Sequence, residues 1–266
     1  MKYAIRSMFV PEPGHLFLAF DFSQAETWIV AHLANEQNMK YYLKNSHIHT
    51  ETAKIIYNTQ IPSKENIYIG KRQNHANSYG QGYRKSAAVI NADSDKPPYV
   101  TVTEYESKVF NERWHAHYKI KGWWADVESE LNRNHRTLRT PYGRKRTFYG
   151  PWGDDLLKEA IAYVPQSTVA DHTFGAEHPE LRIQGGIRAV SKLQFIRNGE
   201  GLLKHTAHDS VMLSVQSNII YDVMPEVYRC LVRPLIVNDQ EFIIPVECEV
   251  GERWGELEKV SKDKLQ

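Results

Sequence analysis

Residues 15–21, His-Leu-Phe-Leu-Ala-Phe-Asp, form a short apolar run that ends on a carboxylate, the pattern of a buried strand. Ser23 follows, with Glu26 three residues on, the spacing of a capping box. Apolar residues from Trp28 to Leu33 then recur at helical spacing. A second helix is predicted over about 50–57, and Pro62 marks a break. The stretch 64–90 has helical character and passes through Gly80 and Gly82, and Asp93 to Pro98 reads as a loop. Thr103 with Glu106 opens another capping-box helix that runs toward Trp123 and Trp124 and beyond. Residues 139–144 read as a turn or short hairpin, and helices are predicted at 155–175 and 185–198. From 203 the pattern turns to strands at 203–207, 211–216 and 242–250, with a helix over about 217–232 between the last two. Strands at both ends around a helical middle predict an α+β fold, an antiparallel sheet carrying a helical insertion.

Composition narrows the class without choosing a function. The 266 residues are 41% hydrophobic and 24% charged, a globular profile. No apolar run approaches the roughly 20 residues of a membrane span, and the first residues lack a secretory core. Two cysteines, Cys230 and Cys248, are too few for a disulfide framework or a cysteine zinc site, and a reducing, cytoplasmic compartment is expected. The net charge is only +1, so nucleic acid would have to be met by local basic patches. Charge alone does not point to DNA.

Two separated carboxylates do. Asp21-Phe22-Ser23-Gln24-Ala25-Glu26 resembles motif A (Asp-Tyr-Ser-Gln-x-Glu) of the family A, polymerase I-like DNA polymerases, and Ala31-His32-Leu33 extends the likeness. His208-Asp209-Ser210 resembles motif C, normally His-Asp-Glu. Taken alone, Asp21 reads as a strand-end turn residue, Glu26 as the return half of a cap and His208-Asp209 as a hairpin tip. The resemblance implies that Asp21, the Phe22 backbone carbonyl and Asp209 hold two Mg²⁺ ions, with Mn²⁺ as a substitute. Two such aspartates can hold cations roughly 3.5–4 Å apart. Glu26 would fill the space of a ribose 2′-hydroxyl, and His208 would support the primer terminus.

Lys71-Arg72-Gln73-Asn74-His75-Ala76-Asn77-Ser78-Tyr79-Gly80 resembles motif B, with Lys71, His75, Tyr79 and Tyr83 at the places of the family's arginine, lysine, aromatic and tyrosine. A spacing of four keeps Lys71, His75 and Tyr79 on one helix face, drifting by about 40° per step. On its own, such a basic face is solvated. The resemblance implies nucleotide binding by Gln24, Glu26, Lys71, Arg72, His75 and Tyr79, with His75 as a catalytic proton donor to pyrophosphate. A free imidazole titrates near pH 6.5 and an ammonium near 10.4. Histidine here is therefore expected to weaken turnover earlier on the alkaline side. The Lys71/His75 form resembles phage branches of the family.

Thr140-Pro-Tyr-Gly143-Arg144-Lys145-Arg146 resembles the family's Thr-x-x-Gly-Arg-x-Arg turn, and Pro165-Gln166-Ser-Thr-Val-Ala-Asp171 its Pro-x-Gln-Gly-Thr-Ala-Ala-Asp segment. Nucleic-acid contacts are thereby implied for Gly80, Tyr83, Arg144, Arg146, Gln166 and His208. Val246-Glu-Cys-Glu-Val-Gly251-Glu-Arg-Trp254 resembles the closing strand and reads as structural.

The implied fold is the polymerase right hand: palm from 1–34 and 140–266, helical fingers from 35–139, no thumb. The implied function is template-directed DNA synthesis from dNTPs on a primer-template. The sequence that precedes Ile5 in the family, bearing the thumb and an exonuclease, is not in these residues. The chain is therefore expected to be a C-terminal fragment, or one half of a split enzyme with a separate thumb- or exonuclease-bearing partner, acting in a bacterial or phage-infected cell. Two alternatives stay open: a non-catalytic nucleic-acid-binding polymerase subunit, and a single-subunit RNA polymerase-like nucleotidyltransferase, where serine also occurs at the place of Ser210. Glu26 argues against the second.

Overall fold

The computed structural model describes residues 5–265. A 3₁₀ turn at Ile5–Met8 precedes β1 (His15–Phe22), α1 (Ala25–Leu33), α2 (Gln37–Asn45), α3 (Ile48–Tyr57), α4 (Lys64–Ser78) and α5 (Tyr83–Ala92). The chain continues through α6 (Glu104–His117), α7 (Lys121–Arg133), β2 (Thr137–Arg139), β3 (Lys145–Thr147) and α8 (Asp154–Phe174). It ends with α9 (Gly186–Val190), α10 (Gln194–Arg197), β4 (Gly201–Ala207), β5 (Ser210–Gln216), α11 (Ile220–Leu231), β6 (Pro234–Val237), β7 (Gln240–Ile243), β8 (Val246–Gly251), β9 (Glu258–Lys259) and a 3₁₀ turn at Lys262–Leu265. The mixture of helices with antiparallel sheet is the α+β plan that the pattern predicts. Among the described residues no helix is long and apolar enough to cross a membrane.

The described residues form two compact units, one of residues up to 25, 140–144 and from 166 on, the other of 26–139 and 145–165. The first is built on an antiparallel sheet in the order β4-β5-β1-β8-β9. Its register explains the burial. Leu18 pairs with Leu213 and Val250, Phe20 with Val211 and Cys248, and Phe22 with Val246. Alternation along each strand turns these residues to one face, where Leu18, Phe20, Phe22, Val211, Leu213, Val246 and Cys248 are buried. Each such side chain contributes roughly 1.5–3 kcal/mol by leaving water. The other face carries Ala19, Asp21, Ser210, Met212, Glu247 and Glu249. Amphipathic α11 buries Ile220, Val223, Met224, Val227 and Leu231 in the same unit.

The second unit is helical, with the short β2–β3 ladder. α3, α4 and α6 share a buried polar cluster. The Asn74 side-chain oxygen accepts from Thr52 at 2.9 Å and from the Trp114 indole at 2.7 Å, and the Thr52 hydroxyl lies 3.0 Å from that of Tyr118. Every member has a partner, the condition under which a buried polar network rigidifies a core.

Several predicted elements divide, each for a local reason. The helix expected over 64–90 is α4 and α5, because Gly80 turns the chain at φ +69°, a conformation that glycine adopts without a Cβ clash. The helix from Thr103 keeps its capping box with Glu106 but ends at His117, and Tyr118 is extended with its ring buried. The strand expected at 242–250 is β7 and β8, in different sheets and parted at Ile244–Pro245, where proline has no N–H for a ladder. The helix expected at 185–198 is the short α9 and α10. α2, which the apolar pattern did not reveal, is N-capped by the Glu36 carboxylate, which accepts from the Met39 N–H at 2.6 Å.

Burial holds several imidazoles neutral: it pushes His32 and His115 down to about 4, and His49 and His172 down to about 3. The unfolded chain takes up these protons near pH 6.5, so between pH 6.5 and 3 it binds more protons than the folded chain and stability rises with pH. This stability is full above pH 6.5 and lost progressively as the pH falls toward 3. Urea midpoints should therefore climb from pH 4 to 6.5 and then level, with a shallower climb in His49→Gln. An identical slope in that variant would rule out His49 as a contributor.

Candidate functional site

In the first unit, strand pairing brings the end of β1, with Asp21, beside the β4–β5 turn, with Asp209. Asp21 lies at the end of β1, in register with Ser210 on β5 and with Glu247 on β8. Asp209 sits in the two-residue turn between β4 and β5, and the backbone N–H of Phe22 donates to its carbonyl at 2.9 Å. Asp21, exposed, and Asp209, half-buried, line one open cleft of about 520 Å³. Glu247, Glu249, Lys259, His205, Arg6 and Trp254 also line it. The Asp21 and Asp209 carboxylates are hard oxygen donors. Two carboxylates with positions left for water and phosphate are what Mg²⁺ takes, in preference to a closed protein cage.

The C-terminal end of α8 braces both segments. His172 packs edge-on against the Phe22 ring at 5.2 Å, and the Thr173 hydroxyl donates to the His208 carbonyl at 3.3 Å. Buried Arg233 holds this helix end by donating to the carbonyls of His172 at 2.7 Å and Ala176 at 2.8 Å. Burial lowers its pKa. His208 is exposed at the hairpin tip, and Gln166 is half-buried on α8. Gln24, at φ +57°, has a buried amide oxygen without a partner among the described residues.

In the second unit, α4 carries Lys71 and His75 outward and Tyr79 half-buried at its C-cap. The Tyr79 hydroxyl donates to the Glu26 carboxylate, and His75 Nδ1 stands 3.8 Å from the same oxygen. The His75 and Tyr79 rings meet edge to face at 5.2 Å. Burial first, and then the Glu26 charge, pushes the Tyr79 phenol well above its ordinary value, so it stays a donor. Gly80 follows, with Trp124 and Lys158 closest to the place its Cβ would take. Tyr79, Tyr83 and Lys158 line a second open cleft in this unit.

Other cations of the expected set are already engaged. Arg72 donates to the Tyr68 hydroxyl at 2.9 Å and to Asp93, which ties α4 to the end of α5. Arg144 pairs with Asp171, a carboxylate only 5% exposed that also accepts from Thr140 at 3.1 Å. Arg146, in the second unit, pairs with Glu159 and lies over the Phe148 ring at 4.8 Å. Sequence reasoning missed Glu247 and Lys259 as neighbours of Asp21. The alternation Val246-Glu-Cys-Glu-Val contains the signal for Glu247, since it turns both glutamates to the face opposite Cys248.

Three comparisons bear on this arrangement. Residues 1–256 match the profile of DNA polymerase family A. The chain is 25% identical over 257 residues to the thermostable DNA polymerase I of Thermus filiformis, covering 93% of this chain and 28% of that protein. It is 27% identical over 264 residues to DNA polymerase I of Chloroflexus aurantiacus, covering 95% and 25%. It thus spans about a quarter of the length of these curated relatives. Among solved structures, the fold is similar to the POL domain of Pol1 from M. smegmatis in complex with DNA primer-template and dNTP. The TM-score is 0.72 at 18% identity, over 94% of this chain and 42% of that one.

Arg144→Ala would leave the nearly buried Asp171 carboxylate with Thr140 as its remaining side-chain donor named above. An unmet charged acceptor costs roughly 1–3 kcal/mol, and urea unfolding should read a loss in that range. A loss below about 0.5 kcal/mol, the scale of an ordinary surface substitution, would show that the pair with Asp171 does not hold the fold.

Proposed function

The chain belongs to DNA polymerase family A, and from that premise we propose that it performs template-directed transfer of deoxynucleotides from dNTPs to a primer 3′-hydroxyl. The observation that carries this reading is the backbone bond from Phe22 N–H to the Asp209 carbonyl, which holds the end of β1, with Asp21, beside the turn that bears Asp209. Asp21, Asp209 and the Phe22 carbonyl are the residues that would hold Mg²⁺. When bound, the metal supplies charge neutralisation for the attacking and leaving oxygens.

In this reading residues 1–34 and 140–266 are the palm of a right hand and 35–139 its fingers, although residues 26–34 and 145–165 belong to the helical unit by their packing. Phosphoryl transfer asks a protein mainly for positioning and charge, and each remaining residue has a part of that kind. Glu26, fixed by the Tyr79 hydroxyl, closes the space of a 2′-hydroxyl. Lys71 and His75 face the triphosphate, His75 being the proton donor to pyrophosphate. Gln24 presents its buried amide oxygen to a donor on the substrate. Gly80 and Tyr83 meet the template, while Gln166 and His208 meet the primer-template duplex. Arg144 and Arg146 reach phosphates only by leaving Asp171 and Glu159. Arg72 is better read as a brace between α4 and α5 than as a nucleotide ligand. Lys71 and His75 fit a phage-type branch. Grip on the duplex would come from a thumb outside these residues, in the same polypeptide or in a separate chain. The enzyme would work in the cytoplasm, where its substrates are.

Primer extension with dNTPs and Mg²⁺ tests the reading. Asp209→Asn should lower extension by at least about 10³-fold, the rate equivalent of losing several kcal/mol of charge stabilisation. Wild-type extension that survives this substitution, or wild-type chain that stays inert with a duplex-gripping partner supplied, would refute it. Glu26→Ala should reduce discrimination against ribonucleotides by roughly 10- to 200-fold, the range that pocket shape alone supplies. Tyr79→Phe should have a smaller effect in the same direction. Unchanged sugar selectivity in Glu26→Ala would remove the steric role.

A further inference from the structure

The end of the chain adds a charge to the cleft of Asp21 and Asp209. The family match stops at residue 256, and β9 lies just past it. This segment is fixed to the sheet. Glu249 pairs with Lys259 and Val250 with Glu258, and the Val260 N–H donates to the Cys248 carbonyl at 2.9 Å. Farther on, Leu265 is only 2% exposed. β9 therefore extends the sheet beyond β8, two strands from β1.

Lys259 uses that position. Its Nζ lies 2.6 Å from a carboxylate oxygen of Glu247, and Glu247 is the register partner of Asp21. Asp21, Glu247 and Lys259 thus form a row across three neighbouring strands on one face, and all three line the same cleft. The ammonium is held above its ordinary value by Glu247 first, with Glu249 and Asp21 adding to it. Among the described residues, Arg6 and His205 are the other basic groups that line this cleft.

We infer that Lys259 is a built-in counter-charge that lowers the divalent-cation affinity of the Asp21–Asp209 site and so sets the concentration at which the site fills. The inference rests on the reading of those aspartates as metal ligands. An ammonium has no lone pair to offer a metal, so it acts on a bound cation only by repulsion. A doubly charged ion feels that repulsion twice as strongly as a single charge. The effect operates within a Debye length, about 8 Å at physiological salt. Its sign is diagnostic. If Lys259 only stitched β9 to the sheet, removing it would loosen the cleft and weaken the cation. Acting as a counter-charge, it restrains binding, and its removal strengthens it.

The test is Mn²⁺ binding to the full chain without DNA or nucleotide, read by the electron paramagnetic resonance of free Mn²⁺. Lys259→Met should bind about two- to five-fold tighter than wild type at low ionic strength, with the gap closing as salt rises. Lys259→Arg, which keeps the charge, should match wild type. Binding that depends on Asp21, lost in Asp21→Asn, yet is equal or weaker in Lys259→Met, overturns this inference alone. Mn²⁺ binding indifferent to Asp21→Asn overturns the metal reading itself, and this inference with it.

Discussion

The antiparallel pairing of β1 with β5 is the constraint on which the rest of the site depends. It fixes Asp21 opposite Ser210, and one further backbone bond, from Phe22 to Asp209, closes the end of the ladder. A one-residue slip would turn Asp21 into the core and Phe20 or Phe22 into the cleft. That slip is opposed by every buried pair on the other face, Leu18 with Leu213 and Phe20 with Val211 among them. The hydrophobic core of this unit therefore does the positioning for two polar groups it never touches.

Support for the same two segments comes from the end of α8. Gly175 turns the chain there at φ +87°, where a Cβ would collide with the Gly185 carbonyl. Arg233 adds donors to the carbonyls of His172, which also accepts from the Gly175 N–H, and of Ala176 just past the helix end. A buried arginine is costly unless its donors are met; here backbone carbonyls meet both terminal nitrogens, while Nε stays without a partner among the described residues. The helix end so fixed presents His172 to Phe22 and Thr173 to the His208 carbonyl. The two segments thus share one rigid neighbour.

The charged residues divide into those left exposed and those tied into ion pairs that hold the fold. Lys71 and His75 are exposed on α4, and Asp21 lies open on the sheet. Arg72, Arg144 and Arg146 instead hold Asp93, Asp171 and Glu159. Position within a basic motif does not tell which arginines are available, because the competing carboxylate lies elsewhere in the chain. Glu26 is the instructive case in the second unit. Its carboxylate takes the Tyr79 hydroxyl, which gives a residue that could merely cap a helix a fixed place beside the C-terminal end of α4.

The chain by itself determined the local grammar. The alternation of 15–21, the cap of Thr103 with Glu106, and the amphipathic run that became α11 each depend on neighbours a few residues away. The family was legible too, because Asp21 to Glu26, Lys71 to Gly80 and His208 to Asp209 are short, contiguous signatures. Tertiary structure decided where long apolar stretches break. It made 64–90 two helices at Gly80, and 242–250 strands of two sheets at Pro245. It alone set Glu247 beside Asp21 and Lys259 beside Glu247, in a cleft whose walls come from both ends of the chain. Sequence spacing fixes which side of a strand or helix a residue faces. Which distant strand lies alongside is fixed by the register that buries the most apolar surface, a property of the whole sheet that no single segment carries.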